Sequence, residues 1–201
     1  MSRQASIPTA SSRASARVRR HGGAPASDDA GPAASARAAA RESPARFVWA
    51  ATRLALGWIF LWAFLDKLFG LGQATPSGAG WIDGGNPTEG YLSGATGPFA
   101  GIYHDIAGAG VVNWLFMLGL LGIGVALIAG VAMRPAAIAG ALMMVLMWSS
   151  ALWPETNPFM DDHLVYALVL VGLALSNAGD TLGLGRRWSQ TALVRRLPWL
   201  A

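Results

Sequence analysis

The sequence predicts an all-α fold: an integral membrane, antiparallel four-helix bundle with a structured outer loop between its first and second helices. Three observations predict it. Of the 201 residues, 53% are hydrophobic and only 13% charged, against about 25% charged in a soluble domain. The mean hydropathy is +0.40. Beyond residue 46 the apolar residues gather into four runs, 47–70, 111–133, 136–153 and 163–179. About 20 apolar residues cross a hydrocarbon core near 30 Å thick. Only helices or closed barrels satisfy backbone groups in lipid, and the alternating strands of a barrel are missing.

Residues 1–46 hold 14 Ala, eight Ser and eight of the 15 basic groups, with Ile7 and Val18 as the only large aliphatics. That composition cannot offset the entropy of ordering, so a disordered basic cytoplasmic tail is expected. No apolar run precedes residue 47, so the tail does not read as a secretory signal. Residues 47–179 form the membrane domain. Its loop 71–110 has 11 glycines in 40 residues, but Asn86-Pro87-Thr88-Glu89 reads as a helix start and a second short helix is expected from Pro98 to about Ile106. A flexible loop is the other reading. The link of about three residues around Arg134-Pro135 predicts a tight helical hairpin. Gly122, Ala126 and Gly130, then Ala136 and Gly140, then Gly172 and Ser176, recur every four residues, as small residues do where membrane helices touch. Residues 180–201, with leucines and tryptophans among four arginines, read as an interfacial amphipathic anchor or an untethered cytoplasmic tail.

The N-terminal tail, the Arg134 turn and the C-terminal tail together carry 13 basic groups, whereas loops 71–110 and 154–162 carry none and hold six acids. The positive-inside rule then places both termini in the cytoplasm. Although the pI is near 10.3, a basic tail beside a lipid-embedded body meets anionic headgroups. Membrane lipids are the expected partners, and nucleic acid is not. The chain has no cysteine, which excludes disulfides, iron–sulfur clusters, thiolate metal sites and persulfide chemistry.

Ionisable groups within a membrane helix usually mark a partner or a function. Here they are Arg53, Asp66 and Lys67, all in the first helix. Arg53, Gly57, Phe60, Phe64 and Lys67 fall on one stripe at about 100° per residue, which is expected to face the bundle. Lys67 is the only lysine. It reads as an ion pair with Asp66, Asp105, Asp161 or Asp162, as a donor to an anion or quinone carbonyl, or as a cation that simply snorkels to the interface. Asp161-Asp162-His163 opens the fourth helix and reads as a cap. The alternative joins it with His104 and Asp105 in a metal- or proton-handling cluster. Met143, Met144, Met147 and Trp148 read as packing, or as a surface that accepts a quinone ring.

The run Arg53-Leu54-Ala55-Leu56-Gly57-Trp58-Ile59-Phe60 followed by Asp66-Lys67-Leu68-Phe69-Gly70 resembles the first helix of the DoxX/DoxD family of bacterial membrane proteins. Gly80–Gly85 and Asn157–His163 extend the likeness over residues 47–187. The resemblance implies a four-helix fold in the bacterial inner membrane. Through the DoxD branch it also implies a quinone-linked oxidoreductase subunit, with thiosulfate as candidate donor and a small soluble or membrane redox subunit as partner. The alternative is a non-enzymatic scaffold that recruits a redox or thiol-stress partner. On the first reading Lys67, Asp161, Asp162 and His163 form the candidate catalytic set, and Arg53, Phe60, Phe64 and Lys67 orient quinone or anion. Quinone is a co-substrate, no cofactor is expected to be bound covalently, and no metal site is assigned.

Overall fold

Helix begins where the Ala/Ser/Arg composition gives way to large apolar residues. The computed structural model describes residues 44–155 and 157–201. Of the expected disordered tail over 1–46, residues 1–43 lie outside the described residues, and Ala45 and Arg46 belong instead to the first helix. Four long helices follow: α1 (Ala45–Phe69), then α4 (Gly110–Ala129), α5 (Met133–Ser150) and α6 (Asp162–Leu175). The short helices α2 (Glu89–Ser93) and α3 (Ala100–Ile106) lie in the loop after α1, and α7 (Gly185–Ser189) and α8 (Ala192–Arg196) near the C-terminus. Among the described residues there is no strand, only an isolated bridge between Thr96 and Ala151. Helix α1 packs chiefly on α4 and α5 on α6, while α4–α5 and α1–α6 contacts close the ring. Leu56, Phe60, Met117, Leu127, Leu170 and Leu173 meet in its buried core.

Helices α1, α4 and α5 are long and apolar enough to cross a membrane, with 25, 20 and 18 residues. At 14 residues, α6 spans only about 21 Å. It stops early because Asn177 takes a left-handed conformation, φ 50°, which asparagine tolerates better than most residues. The chain then makes a single 3₁₀ turn over Ala178–Asp180, with Ala178 and Gly179 buried against α1 and α6. Irregular backbone is tolerated at membrane depth where protein covers it.

The helix ends differ from the expected boundaries for similar reasons. The second long helix ends at Ala129 instead of 133, because Gly130 adopts φ 71° and its N–H bonds back to the Ala126 carbonyl at 2.8 Å. The tight turn is therefore 130–132, and Arg134-Pro135 sit in the first turn of α5. The N–H that proline lacks would have no intrahelical partner there.

Small residues do bring segments together. Of the expected stripe of α4, Gly130 does so, where a Cβ would lie 2.9 Å from the Gly179 carbonyl oxygen, whereas Gly122 does not. A Cβ placed on Gly122 would meet nothing within 4 Å, whereas one on Gly124 would lie 2.8 Å from the Leu61 backbone nitrogen. One on Gly57 would come within 2.9 Å of the Leu127 Cβ. Gly57 and Gly124 are thus where α1 and α4 approach. Gly140 faces a Leu170 methyl and Gly172 the Trp49 ring, so the α5 and α6 glycines do serve packing.

The loop 71–110 is structured. Asn86 Oδ1 accepts from the N–H groups of Thr88 (3.3 Å) and Glu89 (3.1 Å) and so caps α2. Tyr91 and Tyr103 donate their hydroxyls to the Met147 and Leu146 carbonyls at 3.2 and 3.0 Å, hanging α2 and α3 on the last turns of α5. The C-terminal segment is tethered too, as two short helices instead of one amphipathic rod. Trp188 Nε1 donates to the Leu200 carbonyl at 2.7 Å, Arg134 donates to the Pro198 carbonyl at 3.2 Å, and Val194 is buried. Arg186, Arg187, Arg195 and Arg196 stay exposed beside Leu182, Leu193 and Trp199.

Candidate functional site

The stripe of α1 turns inward, and its two ends do different work. Arg53 is fully buried. One guanidinium nitrogen donates to the carbonyls of Leu127 and of Ile128, the latter at 2.9 Å. The other donates to Thr181 and Leu182 at 3.3 and 2.9 Å. These carbonyls belong to the last turn of α4, where the helix dipole is negative and partners are scarce, and to the segment after α6. Among the described residues the cation is thus held by backbone dipoles rather than by a carboxylate. Phe60 lies in the core and Phe64 packs against it.

At the other end, Asp66 is also buried. Its carboxylate accepts the N–H groups of Gln73 (3.2 Å) and Thr75 (2.8 Å), which folds the chain back after α1. Replacing Asp66 with Asn puts an NH₂ group against one of those donors. We expect this variant to lose about 1–3 kcal/mol of stability, read as a lower thermal midpoint in detergent with faster proteolysis of segment 71–80. Lys67, the next residue, makes none of the expected ion pairs: among the described residues no carboxylate lies within salt-bridge distance of it. Its ammonium sits 5.8 Å from the centre of the Phe116 ring, a cation–π contact.

Lys67 also lines a cavity of about 690 Å³ between α4 and α5, within the range of small-molecule sites. The walls are Val112, Leu115, Phe116, Gly119 and Ile123 from α4, facing Leu142, Met143 and Met147 among others from α5. Each set recurs at three- and four-residue steps, so each is one helix face. The polar groups gather at one end: Lys67, Thr88, Tyr91, Tyr103 and Ser150. Thr88 is fixed by its hydroxyl bond to buried Asn113 at 2.5 Å. Tyr103 shares a 2.5 Å bond with Ser149, and Ser150 donates to the Tyr91 oxygen at 3.1 Å. Desolvation of its hydroxyl end pushes the Tyr91 phenol above its ordinary pKa, the Ser150 bond opposes this, and the charges of Asp161, Tyr103 and Asp162 add to the rise.

Asp161 caps α6, accepting the Leu164 N–H at 3.2 Å, and its second oxygen bonds His163 Nδ1 at 2.8 Å. Asp162 approaches the same nitrogen at 3.5 Å. Among the described residues these three form the one group of ligand atoms close enough for a metal ion, all within 4.8 Å. His104 and Asp105 are not in it. His104 Nε2 lies 3.0 Å from the Ala95 carbonyl instead.

Of the residues in the candidate catalytic and quinone- or anion-orienting sets, then, only Lys67 lines the cavity. The Asp161–His163 group is not among its lining residues, Arg53 clamps the opposite end of the bundle, and Phe60 and Phe64 are packing. Met143 and Met147 join the cavity wall, whereas Met144 is core and Trp148 bonds the Phe159 carbonyl. Tyr91, Tyr103 and Thr88 escaped sequence reasoning, although a signal existed: two of the chain's three tyrosines fall in one glycine-rich loop.

The family model for DoxX matches residues 48–153, from the start of α1 to just past the end of α5, and so contains the whole cavity. No curated protein and no solved structure matches the chain. With more than half of its residues inside that family model and three apolar helices long enough to span a bilayer, the chain belongs to the DoxX family of membrane proteins.

Proposed function

We propose that the protein is the membrane subunit of a quinone-linked oxidoreductase, with thiosulfate as candidate electron donor and a second redox subunit to deliver the electrons. It would be a multi-pass protein of the bacterial inner membrane, with both termini cytoplasmic and the Lys67 end outside. The observation that carries this reading is the apolar cavity whose polar end bears the hydroxyls of Tyr91 and Tyr103 and a cation that, among the described residues, has no carboxylate within salt-bridge distance. A quinone suits such a site, with an apolar slot for the ring and a charged donor for one carbonyl. Lys67 supplies a charged donor. Tyr91 and Tyr103 line the same end, their hydroxyls held on the Met147 and Leu146 carbonyls. Reduction then takes two electrons from the donor and two protons from this side. Loops 71–110 and 154–162 carry six acids and no Lys or Arg, so a dianion needs cations from the partner subunit to approach.

Quinone binding to protein in nanodiscs tests the reading. Replacing Lys67 with Met should weaken it about tenfold, the worth of one hydrogen bond from a charged donor, with at most the small stability loss of one cation–π contact, because among the described residues Lys67 makes no salt bridge. Unchanged binding would remove Lys67 from the site. The scaffold reading keeps one observation of its own: Arg53 and Asp66 both act on the chain's own backbone. Wild-type protein that binds no quinone, and adds nothing to thiosulfate-dependent quinone reduction by its complex, would favour it.

A further inference from the structure

We infer that the cleft between α4 and α5 is a side door to the bilayer: the tail of an isoprenoid quinone enters through it, and Gly119 with Met143 sets how deep the tail reaches. This rests on the quinone reading above. The walls grade from core to lipid. Ile123 at the far end is 2% exposed, whereas Leu115, Leu142 and Leu146 on the lip are 67%, 59% and 50% exposed on the apolar flanks of two spanning helices. α2 and α3 roof the polar end, with Thr88 and Leu92 buried beneath. A molecule that reaches Lys67 from the membrane therefore travels along the cleft instead of through the roof.

The cleft also dictates the occupant's shape. Its α4 face runs from Val112 to Ile123, about 16 Å at 1.5 Å per residue, and all its polar groups sit at the roofed end. Those groups are a cation and hydroxyls with no carboxylate among them, so the head of the occupant is an acceptor. Everything behind it is apolar. Halfway along, a Cβ on Gly119 would stand 2.5 Å from the Met143 terminal methyl. Any larger residue at 119 pushes that flexible side chain into the cleft. This makes Gly119 a depth determinant, apart from the polar end.

The test uses two photoreactive quinones in nanodiscs, one carrying its diazirine on the ring and one on the tail. In wild type the tail probe should label 112–123 and 139–150, and the ring probe should label near Lys67. In Gly119→Leu, tail labelling of these two stretches should fall about tenfold while ring labelling persists. Met143→Ala, which widens the cleft, should shift tail adducts toward Ile123. Excess unlabelled quinone should suppress the adducts, and excess phospholipid should not. Tail labelling unchanged in Gly119→Leu, with Met143→Ala equally silent, overturns the side door but leaves quinone binding standing. Adducts suppressed equally by phospholipid mean that an ordinary lipid fills the cleft, which also overturns it. If neither probe labels wild type, the quinone reading falls first and this inference with it.

Discussion

Replacing Arg53 with Met should unfold the protein or lower its stability by about 4 kcal/mol, a large share of what most folds possess. Two effects oppose each other. Removing a buried cation relieves its desolvation, because among the described residues no carboxylate pairs with it. Against this, four carbonyls lose a donor at a depth where water is scarce, each worth about 1–3 kcal/mol. The second effect wins because the end of α4 has so few other donors. Gly130 serves the Ala126 carbonyl and, more weakly, that of Leu127; Leu184 serves Ala129 at 2.9 Å; Ile128 is left to Arg53. Lysine at 53 should rescue only partly. An ammonium is a point charge without the planar fork that reaches two segments at once. Thermal unfolding in detergent measures all three proteins. An Arg53→Met variant as stable as wild type would show that the segment after α6 holds to α4 by packing alone.

Much of this fold is legible in the sequence because lipid imposes a simple rule on composition. Long apolar runs must be helices, and the inward turn of Arg53 and Lys67 follows from rotation angle. The helix ends are less legible, since Gly130, Ala132 and Asn177 stop or redirect the chain through left-handed conformations that hydropathy does not register. The cavity is not legible at all. It lies between two helices, and α4 is apolar on every side, so no periodic signal marks which face meets α1 and which faces α5. The rotation stripe points instead to the aromatics of α1. Phe60 and Phe64 fill the core, while the aromatic beside Lys67 is Phe116 on another helix. A ligand site that the tertiary gap creates, and that loop tyrosines close, has no local signature to find.

The same blindness to facing makes the glycines of α4 a decisive pair. Gly122 and Gly124 are two residues apart on one helix, with the same intrinsic propensity, and should respond to alanine with opposite signs. At Gly122 nothing lies within 4 Å of the added Cβ. There alanine should stabilise by about 0.5–1 kcal/mol, the ordinary gain over glycine within a helix. At Gly124 the Cβ meets the Leu61 nitrogen, Cα and Cβ at 2.8, 3.0 and 3.0 Å, and backbone atoms of a 25-residue helix cannot swing aside as a side-chain tip can. Helix α1 must move away, loosening the contact at Gly57 as it does. Alanine there should cost about 1–3 kcal/mol, and leucine more. Because Arg53 lies one helical turn before Gly57, a displaced α1 also draws the guanidinium from the Leu127 and Ile128 carbonyls. The losses from Gly124→Leu and Arg53→Met should therefore sum to more than the double variant shows, a non-additivity expected of sites that share one contact. Additive midpoints would mean that the two helices are held independently at each end. Equal effects of alanine at 122 and 124 would mean that α4 does not present Gly124 to α1.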